Sequence, residues 1–313
     1  MARIIRCSNA EELLDALAPI SKYFRSINSN NSLLLFRGCG DATWRLLPST
    51  LRQARGRTLK HQVRLETDAL IRFLSECDEH GLPIPNDSEA LRRQALELNA
   101  FFAQPPHSLD QAGITWPTDA WLGLMALAQH NGLPTRLLDW TSIPFVAAYF
   151  AALPNHTLPE DSDLAVWALT PLDAEIDGRV ENPRIVRFSQ APRTVSKMTW
   201  MRGWQGYALV DTTRAGNSNL IAQRGFLTAH VLGSVPDEMW NAPWNEAPLD
   251  ELLESWDTPE APRLRKFVLE RRHAPAVLEY LKHYGISTAA MFPGYGGIAR
   301  SVLEMPKRGP HDP

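Results

Sequence analysis

Cysteine is scarce: Cys7, Cys39 and Cys77 are the only three in 313 residues. Their number is odd and their spacing fits no metal site, so neither a disulfide framework nor a zinc centre organises the fold, and no metal is expected. No apolar run approaches the ~20 residues needed to cross a bilayer, so no membrane partner is expected. The N-terminal MARIIRCSNAEELL lacks the continuous apolar stretch of a secretory leader. A reducing cytoplasm is the expected compartment. The net charge is only −3, so no global field recruits nucleic acid. GxGxxG in a βαβ unit, a P-loop, GxSxG and HExxH are all missing. Their absence disfavours doubly wound nucleotide folds, α/β-hydrolases and zinc proteases.

What is present is an ordinary apolar fraction of 44%, enough for a sizeable core, and ten tryptophans, which mostly fill cores. Ser8 with Glu11 reads as a capping box ahead of Leu13, Leu14 and Leu17, which predicts a helix ending near Pro19. Residues 32–37 read as a strand stopping at Gly38. Residues 60–131 read as three helices: one with a Val63, Leu70, Ile71, Leu74 stripe stopped by Gly81, one over 89–104 ending before Pro105, and one capped by Thr118 or Asp119. After Pro154 the texture becomes β-rich. Leu164–Thr170, Arg184–Phe188, Gly225–Leu232 and Leu264–Leu269 are predicted strands, and Asn241–Asp257 an irregular excursion. Pro275–Tyr284 and Ile298–Met305 read as helices. The expected class is α+β: a helical segment over 1–30, a first unit over 31–153, a β-rich half of the same domain over 154–305 and a loose tail over 306–313.

Polar residues gather at strand ends. In LLDWTSIP, Asp139, Trp140, Thr141 and Ser142 sit between a strand and a helix, with Arg136 just before and Gln129–His130 ending the preceding helix. Such a junction offers N–H groups and hydroxyls to an anion, and Thr141 or Ser142 also serves as a cap for the Pro144 helix. In LLLFRGCG, Arg37 ends a strand where it can hold a phosphate, or else pair with Asp139 as a buried acid. Gly38 and Gly40 let backbone approach a ligand. Gln223 in NLIAQRG is a third strand-end polar group. Arg52, Arg55, Arg57, Lys60 and Arg64 form an acid-free run, either a solvated surface or a nucleic-acid contact.

LFRG at Leu35–Gly38, W-x-L-x-PS at Trp44–Ser49 and AQHNGLPTRLLDWTSIPFVAAYFA at Ala128–Ala151 resemble the FRG-domain family, over a span from about Ser32 to Ala151. NLIAQRGFLT at Asn219–Thr228 is similar to a later signature of that family. His130–Asn131 stands where the family often has two histidines. By a more distant likeness, the order Arg37, then Trp140–Thr141–Ser142 with Ala147–Phe150, then Gln223 resembles ADP-ribosyltransferases. That likeness implies a split, mainly antiparallel β core with a helical insertion between its first two strands. It further implies NAD as substrate, a macromolecular acceptor, and a toxin or antiviral-defence role. Arg37, Thr141, Gln223 and Asp139 would be catalytic. Arg37, Gly38, His130, Trp140, Thr141, Ser142 and Tyr149 would bind the cofactor, with Tyr149 against nicotinamide. Gln223 stands where those enzymes carry a glutamate, and an amide is no base. The alternatives are a non-catalytic nucleotide- or nucleic-acid-binding module and a nuclease-like toxin using His130 and Asp139.

Overall fold

The computed structural model describes residues 3–25, 33–103, 115–155, 157–159, 161–170, 198–202, 204–210, 217–233, 235–254 and 263–304. The expected strand over 184–188 and the tail over 306–313 lie outside these. In chain order, strand β1 (Arg3–Cys7) precedes helix α1 (Ala10–Leu17), and β2 (Leu35–Cys39) leads to a helical block of α2 (Leu59–Glu79), α3 (Glu89–Ala103) and α4 (Asp119–His130). Then come β3 (Leu137–Thr141), α5 (Pro144–Ala152), β4 (Asp163–Leu169), β5 (Met198–Arg202) and β6 (Gln205–Val210). Short α6 (Ser218–Ala222) precedes β7 (Gly225–Leu232), followed by α7 (Asp237–Trp240), α8 (Leu249–Glu254) and β8 (Leu264–Glu270). The last helices are α9 (Ala274–His283), α10 (Thr288–Met291) and α11 (Tyr295–Leu303).

The eight strands form one sheet in the order β1-β8-β4-β2-β3-β7-β6-β5, mixed α+β in class and antiparallel at every pairing except β1 with β8. The helical block lies in sequence between β2 and β3, as expected. The N-terminal residues depart from the expectation of a purely helical segment, because Arg3–Cys7 pairs in parallel with Arg265–Leu269. The helix after it starts one residue later than the expected capping box. Asn9 is extended and its Oδ1 accepts from Glu12 N at 2.9 Å, while Glu12 reaches back to Ser8 N at 2.8 Å. Residues 249–254 are helical where an irregular stretch was expected, with Leu249, Leu252 and Leu253 facing the core.

Local chemistry explains the central elements. α5, PFVAAYFAA, is apolar all round and starts with Pro144 at its first turn, and such a helix belongs inside. It packs with α1 and α9 on one face of the sheet, in a core including Phe36, Val166 and Phe267. The helical block packs with Leu137, Leu227 and Ala229 in a second core. β4 reads LAVWAL without polar interruption because both its faces are covered.

Gly38 marks where β2 crosses α5. A Cβ at Gly38 would stand 2.6 Å from Ala151 N and closer still to the Ala147 carbonyl oxygen. The glycine therefore lets helix backbone approach the strand closely.

Candidate functional site

β2 and β3 share a single register pair, Phe36 with Thr141. Each is fully laddered on its other side, β2 to β4 and β3 to β7. Where the β2–β3 ladder stops, the Arg37 guanidinium takes over, its Nη1 donating to the Asp139 carbonyl at 2.6 Å. A side chain thus satisfies a strand carbonyl that has no strand N–H opposite it. The same Nη1 lies 3.7 Å from the Asp139 carboxylate.

Beside this gap is a cavity of about 420 Å³. Arg37, Gly38, His130, Asp139, Trp140 and Thr141 all line it, and Gln223 closes it from the α6–β7 turn. Three stretches far apart in sequence therefore meet. Ser142 and Tyr149 are not among the lining residues. Ser142 N donates to Arg224 O at 3.2 Å. Tyr149 is buried, its hydroxyl 2.7 Å from Thr288 Oγ1, and burial raises its pKa. One helical turn places Ala147 and Phe150, not Tyr149, on the cavity side of α5.

Asp139 is not the buried acid expected at that point: its side chain is 65% exposed. It is nevertheless held, because Gln129 Nε2 donates to Oδ1 at 2.7 Å and Gln129 Oε1 in turn accepts from Thr135 Oγ1. Asp139 is the one acid among the described lining residues. The Thr141 hydroxyl donates to Gln223 O at 2.6 Å and accepts from Ile143 N at 3.0 Å, so it secures the junction. Trp140 Nε1 is held by Thr228 Oγ1 at 3.0 Å. Gln223 caps the end of α6 and its Nε2 donates to Met291 O at 3.0 Å. Cys39 is buried behind Arg37; burial pushes its thiol pKa up against the pull of Arg37, Lys266 and Arg52.

Arg136 does not belong to the site. It is 0% exposed, paired with Glu66, and its Nη1 is 2.9 Å from His230 Nδ1. Trp116 Nε1 and Gln62 Nε2 also donate to Glu66, and Arg136 lies over the Trp244 ring at 5.5 Å. This is an internal ionic cluster that ties α2 to β3 and β7. The basic run is divided in its partners. Arg57 donates to Gln62 at 3.1 Å, Arg64 pairs with Asp68 at 3.7 Å, and Arg52, half-buried, has its pKa lowered by burial and by Arg37. Among the described residues, no helix is long and apolar enough to cross a membrane.

Sequence reasoning did not assign several lining residues to the site, among them Trp44, Asn217 and Phe292. Trp44 had a signal in its W-x-L-x-PS setting, whereas Phe292 lies in a segment with no polar motif. The FRG domain family matches residues 32–158. This stretch runs from the residues just before β2 past the end of α5, holding Arg37 and Asp139 but not Gln223. No curated protein and no solved structure matches the chain, so the likeness to ADP-ribosyltransferases gains no support from either comparison.

Proposed function

We propose that the cavity binds NAD and that the protein transfers the ADP-ribosyl group to a macromolecular acceptor. The observation that carries this reading is the lining of one cavity by Arg37, Asp139 and Gln223, in a volume of about 420 Å³, within the range typical of small-molecule sites. The planar Arg37 guanidinium, with its fork of donors, meets the pyrophosphate. Phe150 takes the place expected of Tyr149 against the nicotinamide ring. As the bond from ribose C1′ to nicotinamide breaks, its electron pair leaves with nicotinamide and the ribosyl carbon becomes cationic. The Asp139 carboxylate, oriented by Gln129, stabilises that charge. The acceptor nucleophile then bonds to C1′ and its proton passes to Asp139. Gln223 orients a ribose hydroxyl and takes no proton.

The test is nicotinamide release from NAD in the presence of cell lysate, alongside direct NAD binding. Wild-type protein releases nicotinamide. Asp139→Asn loses about 10²–10³ in rate, and Arg37→Ala weakens NAD binding. Wild-type protein that neither binds NAD nor releases nicotinamide refutes the reading. A second reading, a nucleotide-binding module without transfer, draws on the Thr141 hydroxyl and the Gln223 amide both being engaged with neighbouring backbone. NAD binding without turnover in any lysate selects it.

A further inference from the structure

The end of the cavity at Gly40 and Trp44 has no part in the reaction above. Trp44 is 42% exposed, the one exposed tryptophan among the described side chains, and it lines the cavity. An indole left open to water leaves a large apolar face uncovered, which a planar ring can cover. Gly40 beside it presents bare backbone; a Cβ there would lie 3.9 Å from the Trp44 ring and 3.6 Å from Leu158. Arg271 stands behind Gly40, with Nη2 3.7 Å from that Cβ position. Its Nε is taken by Ser162 Oγ at 2.9 Å, but Nη2 is buried with no partner among the described residues. Arg271 is not among the residues lining the cavity, so what this corner offers a ligand is the open aromatic face of Trp44 beside the bare backbone of Gly40.

We propose that this corner seats the aromatic base at the adenosine end of the nucleotide, stacked on Trp44. The inference rests on the cavity being a nucleotide site. It makes Trp44 the residue that distinguishes base-bearing ligands from bare sugar phosphates. Base–aromatic stacking is largely indifferent to which base is stacked, so the selectivity is for having a base.

The experiment measures binding of NAD, ADP and ribose 5-phosphate to wild-type protein, Trp44→Phe and Trp44→Ala by calorimetry, with thermal melts confirming that each variant is folded. Trp44→Ala should weaken NAD and ADP by about tenfold to a hundredfold and leave ribose 5-phosphate unchanged, while Trp44→Phe keeps most of the affinity. If NAD and ADP bind folded Trp44→Ala as they bind wild-type, the platform is wrong and the nucleotide site stands. A ribose 5-phosphate loss equal to that of ADP also overturns the platform. Wild-type protein that binds neither NAD nor ADP overturns both.

Discussion

Gly38→Ala tests the link between the fold and the site most directly. The added Cβ would stand 2.6 Å from Ala151 N and closer to the Ala147 carbonyl oxygen, whereas ordinary contact begins near 3.4 Å. Both atoms are helix backbone, so no side chain can rotate away. β2 and α5 must separate by about 1 Å, and that opens the core where Ala147, Ala148 and Ala151 pack. Overpacking of this kind costs about 1–3 kcal/mol and occasionally more; with immovable backbone as the neighbour, the upper end applies. A loss of about 3 kcal/mol lowers Tm by roughly 5 °C in a chain of this size. The assay is thermal unfolding followed by circular dichroism, repeated in urea. Gly40→Ala is the control, since its Cβ would meet nothing nearer than 3.6 Å, and its stability should change by no more than about 0.5 kcal/mol. A Gly38→Ala protein that melts with the wild type, or a Gly40→Ala protein that falls as far, refutes the reasoning. Because Arg37 precedes Gly38, the shift should also pull the guanidinium from the Asp139 carbonyl and weaken ligand binding.

Glu66→Ala leaves the buried Arg136 guanidinium without its counter-ion and should cost about 3–5 kcal/mol, while replacing Glu66 and Arg136 together by methionine should recover much of that loss; urea midpoints equal to wild type would contradict it. His230 is fully buried, and burial with Arg136 nearby holds its pKa well below 6.5. The unfolded chain takes up this proton first, so the contribution is complete above about pH 6.5 and is lost as pH falls below it. His230→Gln should flatten that part of the stability–pH curve, and an unchanged slope in the variant would count against the assignment. Arg37→Ala and Asp139→Asn should separate, the first weakening NAD binding and the second slowing nicotinamide release; identical effects on both would collapse their distinct roles.

Much of the local structure is legible in the chain. Thr58 caps α2, its Oγ1 accepting from His61 N at 3.2 Å, and Gly132 takes a left-handed φ of 92° just after α4. Both follow from chemistry within a few positions. The apolar run of α5 and the polar LLDWTSIP junction are likewise readable. Elements with non-local causes are not. β1 is a short strand with alternating exposure whose partner, β8, lies near the other end of the sequence.

What the sequence by itself determined is therefore the inventory of helices, apolar strands and polar groups, not their exact limits: Ile143, without a side-chain cap, precedes the Pro144 helix in place of Thr141 or Ser142, and Arg37 and Asp139 lie in the middle of their strands rather than at the ends. Only the tertiary structure decided which of those groups face the cavity. Arg37 and Arg136 look alike in the sequence, each beside an apolar strand. One bridges the gap between β2 and β3, and the other is sealed inside against Glu66. A two-residue period tells which side chains share a strand face, but not which face meets the core. That depends on pairing and packing partners up to hundreds of positions away. The same holds for Gln223, which reaches the cavity because β7 pairs with β3 and sets the α6 turn beside Thr141.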